Sequence, residues 1–182
     1  MANLNSNEVI TGSKTRLSYV NLFEPKGFDG AKPKYSAALL ISKSDTETLN
    51  KIKAAMQTAY EKGSYKLRSS SGSVPPLESL SLPLIDGDIK RPGDPAYAGC
   101  FYINAKNSEQ PKVFGMDGGE VMSRSEVYSG CYARAKISFY VFNRSGNKGI
   151  ACSLMGVRKV ADGTPLGGSV CSADDFIDDM LS

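Results

Sequence analysis

The 182-residue sequence contains no histidine and no tryptophan. Without histidine there is no Ser-His-Asp or Cys-His catalytic site, no histidine proton shuttle and no histidine-containing metal site. The four cysteines, Cys100, Cys131, Cys152 and Cys171, stand 31, 21 and 19 residues apart, so no Cys-x-x-Cys pair exists to clamp zinc or run disulfide exchange. Reduced, metal-free thiols are expected. There is also no Gly-x-x-x-x-Gly-Lys phosphate loop and no Gly-x-Gly-x-x-Gly turn. No metal, cofactor or catalytic residue is therefore expected. Residues 1–14 are polar, with no apolar signal-peptide core, and no apolar run approaches membrane-spanning length. A soluble intracellular protein is expected, in which Asn143-Arg144-Ser145 is an unused glycosylation sequon.

What is present suits one folded domain. Hydrophobic residues make up 41% and charged residues 23%, enough to fold around a core. The net charge of +3 hides two regions. Residues 1–161 hold all 22 Lys and Arg against 14 Asp and Glu, a net +8, whereas residues 162–182 hold five Asp and no base, a net −5. A basic body carrying an acidic tail suits a polyanion binder with a built-in electrostatic competitor.

Strand signals dominate. Segments 14–23, 34–41, 100–106, 131–143 and 150–160 have β-type composition bounded by turns, and 112–115 reads as a shorter strand. One helix intervenes after the second strand. Ser44-Asp45-Thr46-Glu47 reads as a capping box, with Ser44 as cap and Glu47 reaching back. Leu49, Ile52, Met56, Ala59 and Tyr60 follow at helical spacing and Gly63 supplies the stop, giving a helix on the surface of a sheet. Residues 63–98, rich in Ser, Gly and Pro, read as an irregular insertion. The expected fold is mainly β: an OB-like, five-stranded, partly open barrel over residues 1–161, then a flexible linker and disordered acidic tail over 162–182.

The longest strand carries the chemistry. Its odd positions, Cys131, Ala133, Ala135, Ile137, Phe139 and Val141, are apolar and suit a barrel interior. Its even positions, Tyr132, Arg134, Lys136, Ser138, Tyr140 and Phe142, alternate cations with rings on the opposite face. The strand from Cys100 repeats this with Tyr102, Asn104 and Lys106. Cations neutralise phosphates and rings stack on unpaired bases, so this face suits a single nucleic-acid strand. Arg16, Lys34, Tyr102, Lys106, Tyr132, Arg134, Lys136 and Tyr140 are the expected binding residues. The competing reading packs the rings under the helix or into a subunit interface.

Two further features stand apart. Asp86-Gly87-Asp88 pairs two carboxylates of the kind that hold Mg²⁺, but lacks a third acidic ligand and reads as a turn. In the tail, Asp174, Asp175, Asp178 and Asp179 alternate with Phe176, Ile177, Met180 and Leu181, so a helix formed on a partner has one acidic and one apolar face.

Several segments resemble one family: residues 16–26, 34–45, 83–88, 97–106, 156–163, Pro165-Leu166-Gly167-Gly168 and Asp174-Asp175-Phe176. In this order they resemble bacteriophage single-stranded DNA-binding proteins, a group distantly similar to the OB-fold replication protein of short-tailed coliphages. The resemblance implies an OB fold, sequence-tolerant binding of single-stranded DNA and a tail that contacts replication partners through Asp174, Asp175, Phe176, Asp178 and Asp179. It also implies a homodimer, strand annealing and action in the cytoplasm of an infected bacterial host. The tail departs from the family pattern, which ends on an aromatic residue, because six residues, 177–182, follow Phe176 here.

The expected function is non-enzymatic coating of single-stranded DNA in phage replication or recombination. The alternatives are a phage protein-interaction or structural module using the aromatic face as a subunit interface, and a metal-dependent nuclease at Asp86 and Asp88.

Overall fold

The computed structural model describes residues 4–27 and 30–166. The strands are β1 (Glu8–Ile10), β2 (Arg16–Lys26), β3 (Lys34–Ser42), β4 (Leu84–Asp86), β5 (Cys100–Asn107), β6 (Lys112–Phe114), β7 (Tyr132–Arg144) and β8 (Asn147–Ala161). Helix α1 spans Thr46–Gly63, and a single helical turn, α2, spans Gly87–Lys90. Strands β2, β3, β5, β8 and β7 pair in that order, and β7 pairs back to β2, closing a five-stranded ring. The ring has two thin seams. Register pairs β2 to β7 only at Arg16–Tyr132, and β5 to β8 only at Lys106–Ser153. This partly closed, mainly β architecture is OB-like. Strands β1, β4 and β6 flank the ring on β7, β5 and β8.

The alternation of β7 is realised in full. Ala133, Ala135, Ile137, Phe139 and Val141 are at most 5% exposed and line the core. Thr48, Leu49, Ile52, Ala55, Met56 and Ala59 form the buried face of α1. The apolar ones join the same cluster, so the helix extends the barrel core and leaves the outer face of β7 uncovered. The cap differs from expectation. Asp45 caps α1, accepting from the Thr48 amide at 3.3 Å, while Ser44 bonds to Ser42. Glu47 pairs with Lys51 at 3.0 Å rather than closing a capping box. Gly63 ends α1 through close approach, because a Cβ there would lie 2.7 Å from Val141.

The insertion is more ordered than its composition suggests. It contains β4 and α2, and Asp86 caps α2 through the Asp88 amide. The Lys43 ammonium sits 2.9 Å from Asp86 and 2.7 Å from Asp88, which fastens α2 to the barrel. Those hydrogen bonds hold the Asp88 carboxyl below and the Lys43 ammonium above their ordinary values. Both carboxylates are thus committed to a lysine. Cys100, Cys131 and Cys152 are free thiols, and burial pushes the Cys152 thiol up. Among the described residues, no helix is long and apolar enough to cross a membrane.

From Asp162 to Leu166 the chain stays on the barrel. Arg16 donates to the Thr164 carbonyl at 2.6 Å, and the Leu166 amide donates to the Ser129 carbonyl at 2.9 Å. Asp162 accepts from the Tyr128 hydroxyl at 2.8 Å and pairs with Lys159 at 2.6 Å. Gly130 (φ +114°) makes room, since a Cβ there would run into the Thr164 carbonyl. The linker expected from residue 162 is therefore a strap as far as Leu166. The tail residues Asp174, Asp175, Phe176, Asp178 and Asp179, and Cys171, lie outside the described residues.

Candidate nucleic-acid interface

The outer face of the barrel is built in rows across β3, β5, β8 and β7. In register, Ser36 lies beside Lys106, Lys106 beside Ser153 and Ser153 beside Ser138. Tyr140 lies beside Ala151 in the neighbouring row. Small side chains, Ser138, Ala151 and Ser153, thus make a low floor from which longer ones stand up. The result is a groove of about 800 Å³, walled by Lys34, Asn104, Lys106, Tyr140, Phe142 and Arg144. The Ser81–Pro83 stretch and Asn147 close its ends.

The electrostatics of this groove are one-sided. Lys34, Lys106 and Arg144 line it, and among the described residues no carboxylate does. Among the described residues, none of these three cations has an ion-pair partner. Tyr140 is 44% exposed, and Phe142 is half-buried beside it on the same face. Free cations beside open rings on a shallow floor match what a flexible polyanion with unstacked bases requires. The groove lies between the hairpin at Ser145 and Gly146 and the start of β3, and it includes β3 and β5, the second and third strands of the ring, the side through which OB barrels bind oligonucleotides.

Of the eight residues expected from the sequence, the structure brings Lys34, Lys106 and Tyr140 together in this groove. Four others are engaged elsewhere on the barrel. Arg134 donates to the Thr11 carbonyl at 2.9 Å, and Lys136 faces Glu8 at 3.8 Å, so both hold β1. Arg16 donates to the Gly130 and Thr164 carbonyls and lies 5.6 Å from the centre of the Tyr132 ring, so this pair holds the strap. Tyr102 points outward as expected, yet is only 8% exposed, because Tyr97 packs edge-on against it at 5.0 Å. The insertion that delivers Tyr97 is what covers it. Sequence reasoning did not select Asn104, Phe142, Arg144 or Asn147. The sequence carries a signal for Phe142 and Arg144, since both continue the even-numbered series of β7, which runs one residue past the strand end expected at 143.

A β-barrel of OB type with a cationic, aromatic groove is the class that fold and site define. The family model described as Enterobacter phage Enc34, ssDNA-binding protein, matches residues 7–181. The chain belongs to that family. It is similar to the single-stranded DNA-binding protein of bacteriophage Enc34 solved in complex with ssDNA, at 30% identity and TM-score 0.74, covering 89% of this chain and 90% of that one. A curated relative, putative protein p50 of Acyrthosiphon pisum secondary endosymbiont phage 1, is 33% identical over 174 residues, 91% of each chain. The single-stranded DNA-binding protein gp2.5 of bacteriophage T7 shares the fold at TM-score 0.59 and 17% identity, over 94% of this chain and 93% of that one.

Proposed function

We propose that this chain binds single-stranded DNA, without marked sequence preference, in the groove between β3, β5, β8 and β7. The observation that carries the reading is the set of cations, Lys34, Lys106 and Arg144, that have no ion-pair partner among the described residues, beside the exposed ring of Tyr140 and the half-buried ring of Phe142. Phosphates meet the cations and bases stack on the rings, with no base-edge readout needed. Arg16, Tyr132, Arg134 and Lys136 act one step back, by holding the strap and β1 in place. The role is binding rather than chemistry.

The finer reading places the protein in phage replication or recombination, in the cytoplasm of the infected host. Asp174, Asp175, Asp178 and Asp179 compete with DNA for the basic body, and Phe176 anchors the tail on a replication protein. Support comes from the split of +8 and −5 between body and tail. A homodimer belongs to the same reading and is tested by sedimentation.

The test is a titration of oligo-dT against duplex of equal length at two salt concentrations. Preference for the single strand, weakening as salt rises, is the expected result. Equal affinity for both, or no salt dependence, overturns the assignment. A large buried oligomer interface over Tyr140 without DNA binding would favour a protein-interaction module instead.

A further inference from the structure

The groove does not end at Asn104. Along β5 the outward positions run Lys106, Asn104, Tyr102, and successive positions on one face lie ~7 Å apart. Over Tyr102 stands Tyr97, whose hydroxyl reaches the Ser18 hydroxyl at 3.2 Å. The Arg91 guanidinium lies 4.6 Å from the centre of the Tyr97 ring and 4.9 Å from that of Tyr19, and it donates to the Tyr19 hydroxyl at 2.9 Å. Arg91 is thus placed between two rings, one buried and one open.

Tyr19 is the unusual member. It is 57% exposed, a large ring left in solvent. Its backbone has φ +47°, a left-handed conformation that bulky residues seldom adopt, where the β2–β3 register breaks between Ser18 and Asn21. Such irregularities re-aim a side chain, and a strained residue held at a surface site points to a use for its position. The ring borders an open cleft of about 490 Å³, also lined by Lys26, Asp94, Ala96 and Tyr97. Lys26 is the cross-strand neighbour of Lys34, which lines the groove. Neighbouring residues therefore link groove to cleft at two places, from Asn104 along β5 to Tyr102 and the Tyr97 packed on it, and from Lys34 across to Lys26.

We propose that the single strand continues from the groove onto Tyr19, which serves as a second stacking station held in place by Arg91. The inference rests on the groove reading above. Asp94 lies 3.6 Å from Arg91 and balances its charge, so the station contributes stacking and little phosphate neutralisation. Arg91 orients the ring, and Tyr19 meets the base.

The experiment measures anisotropy of the full chain with oligo-dT of about 4 and about 16 nucleotides, the range of OB-fold site sizes. Tyr19→Asn removes the ring but suits a left-handed backbone. It should weaken the long oligonucleotide about five- to 150-fold, the equivalent of ~1–3 kcal/mol for one stacked base, and leave the short one unchanged. The salt dependence should stay as in the unmodified protein, and Tyr19→Phe should bind both lengths normally. Tyr140→Ala should weaken both lengths. If Tyr19→Asn weakens both lengths equally, Tyr19 supports the groove and the second station is overturned. No effect at either length also overturns it. A Tyr140→Ala variant without effect condemns the groove reading itself, and is read separately.

Discussion

The outer face of β7 is one alternating series in sequence and two regions in the structure. From Tyr132 to Lys136 its polar side chains are occupied: Tyr132 by Arg16, Arg134 by the Thr11 carbonyl and Lys136 by Glu8. Beyond Ser138, which belongs to the low floor, Tyr140, Phe142 and Arg144 line the groove, and Arg144 has no ion-pair partner among the described residues. Both halves combine rings and cations: one ring and two cations in the first, two rings and one cation in the second. What separates them is a neighbour: β1 runs beside the first half, and its register ends at Ser138. A cation whose partner is protein stabilises the fold, and one left open is available to a phosphate.

That contrast is broken most strongly by removing the open cations. Replacing Lys34, Lys106 and Arg144 together by Ala should lower the slope of log affinity against log salt by about 2, at ~0.7 per lost single-strand phosphate contact. Thermal stability should hardly move, because no ion pair is lost. A slope within error of the unmodified protein would take these residues out of the site. Next in size is Tyr140→Ala, expected to cost ~1–3 kcal/mol of binding with the slope nearly unchanged.

The occupied half should behave oppositely. Arg134→Ala with Lys136→Ala removes a charge-assisted hydrogen bond to a carbonyl and a distant, partly exposed ion pair. Together these are expected to cost ~1–2 kcal/mol of stability. The salt slope should stay where it was. Denaturant unfolding and a salt titration of the same double variant decide this, and a fallen slope with unchanged stability would erase the distinction between the halves.

How far the sequence could go follows from the same strand. Period-two alternation told interior from exterior at every position from Cys131 to Val141, because that is a property of strand geometry alone. Turn-bounded β composition located the five ring strands, and helical spacing located the helix after the second of them. It could not tell an occupied cation from an open one. Lys136 meets Glu8, and Arg134 meets Thr11, across more than a hundred residues of chain. Tyr102 failed for a related reason: its outward direction was readable, but the fold of the Pro-rich insertion that lays Tyr97 over it was not. At the helix start Ser44 and Asp45 are both good caps, and only the backbone geometry decides for Asp45. Short β1 and β4, three residues each, carry too little pattern to be seen.

The smallest expected effect concerns the strap, which belongs to the occupied side of the comparison. The stem of Lys159 is buried, and its ammonium emerges against Asp162 and 5.3 Å from the centre of the Tyr128 ring. Hydrogen bonds from Lys159 and then Tyr128 hold the Asp162 carboxyl below its ordinary value, and the bond to Asp162 raises the Lys159 ammonium. A depressed carboxyl contributes stability that is present above its unfolded value and lost as pH falls through the folded one. A raised ammonium contributes stability that is complete below its unfolded value and lost as pH rises through the folded one. With unfolded values near ~3.9 and ~10.4, the strap should be steady between them and loosen at both extremes. Asp162 is well exposed, so salt should soften the acid arm. Amide exchange at Gly163, which donates to the Tyr128 hydroxyl, and at Leu166, followed from pH 7 downward, should speed up below about pH 4 beyond its ordinary pH dependence. In Asp162→Asn that extra step should vanish, and exchange should already be faster at neutral pH. An acid step that survives the substitution would mean that another group fastens the strap.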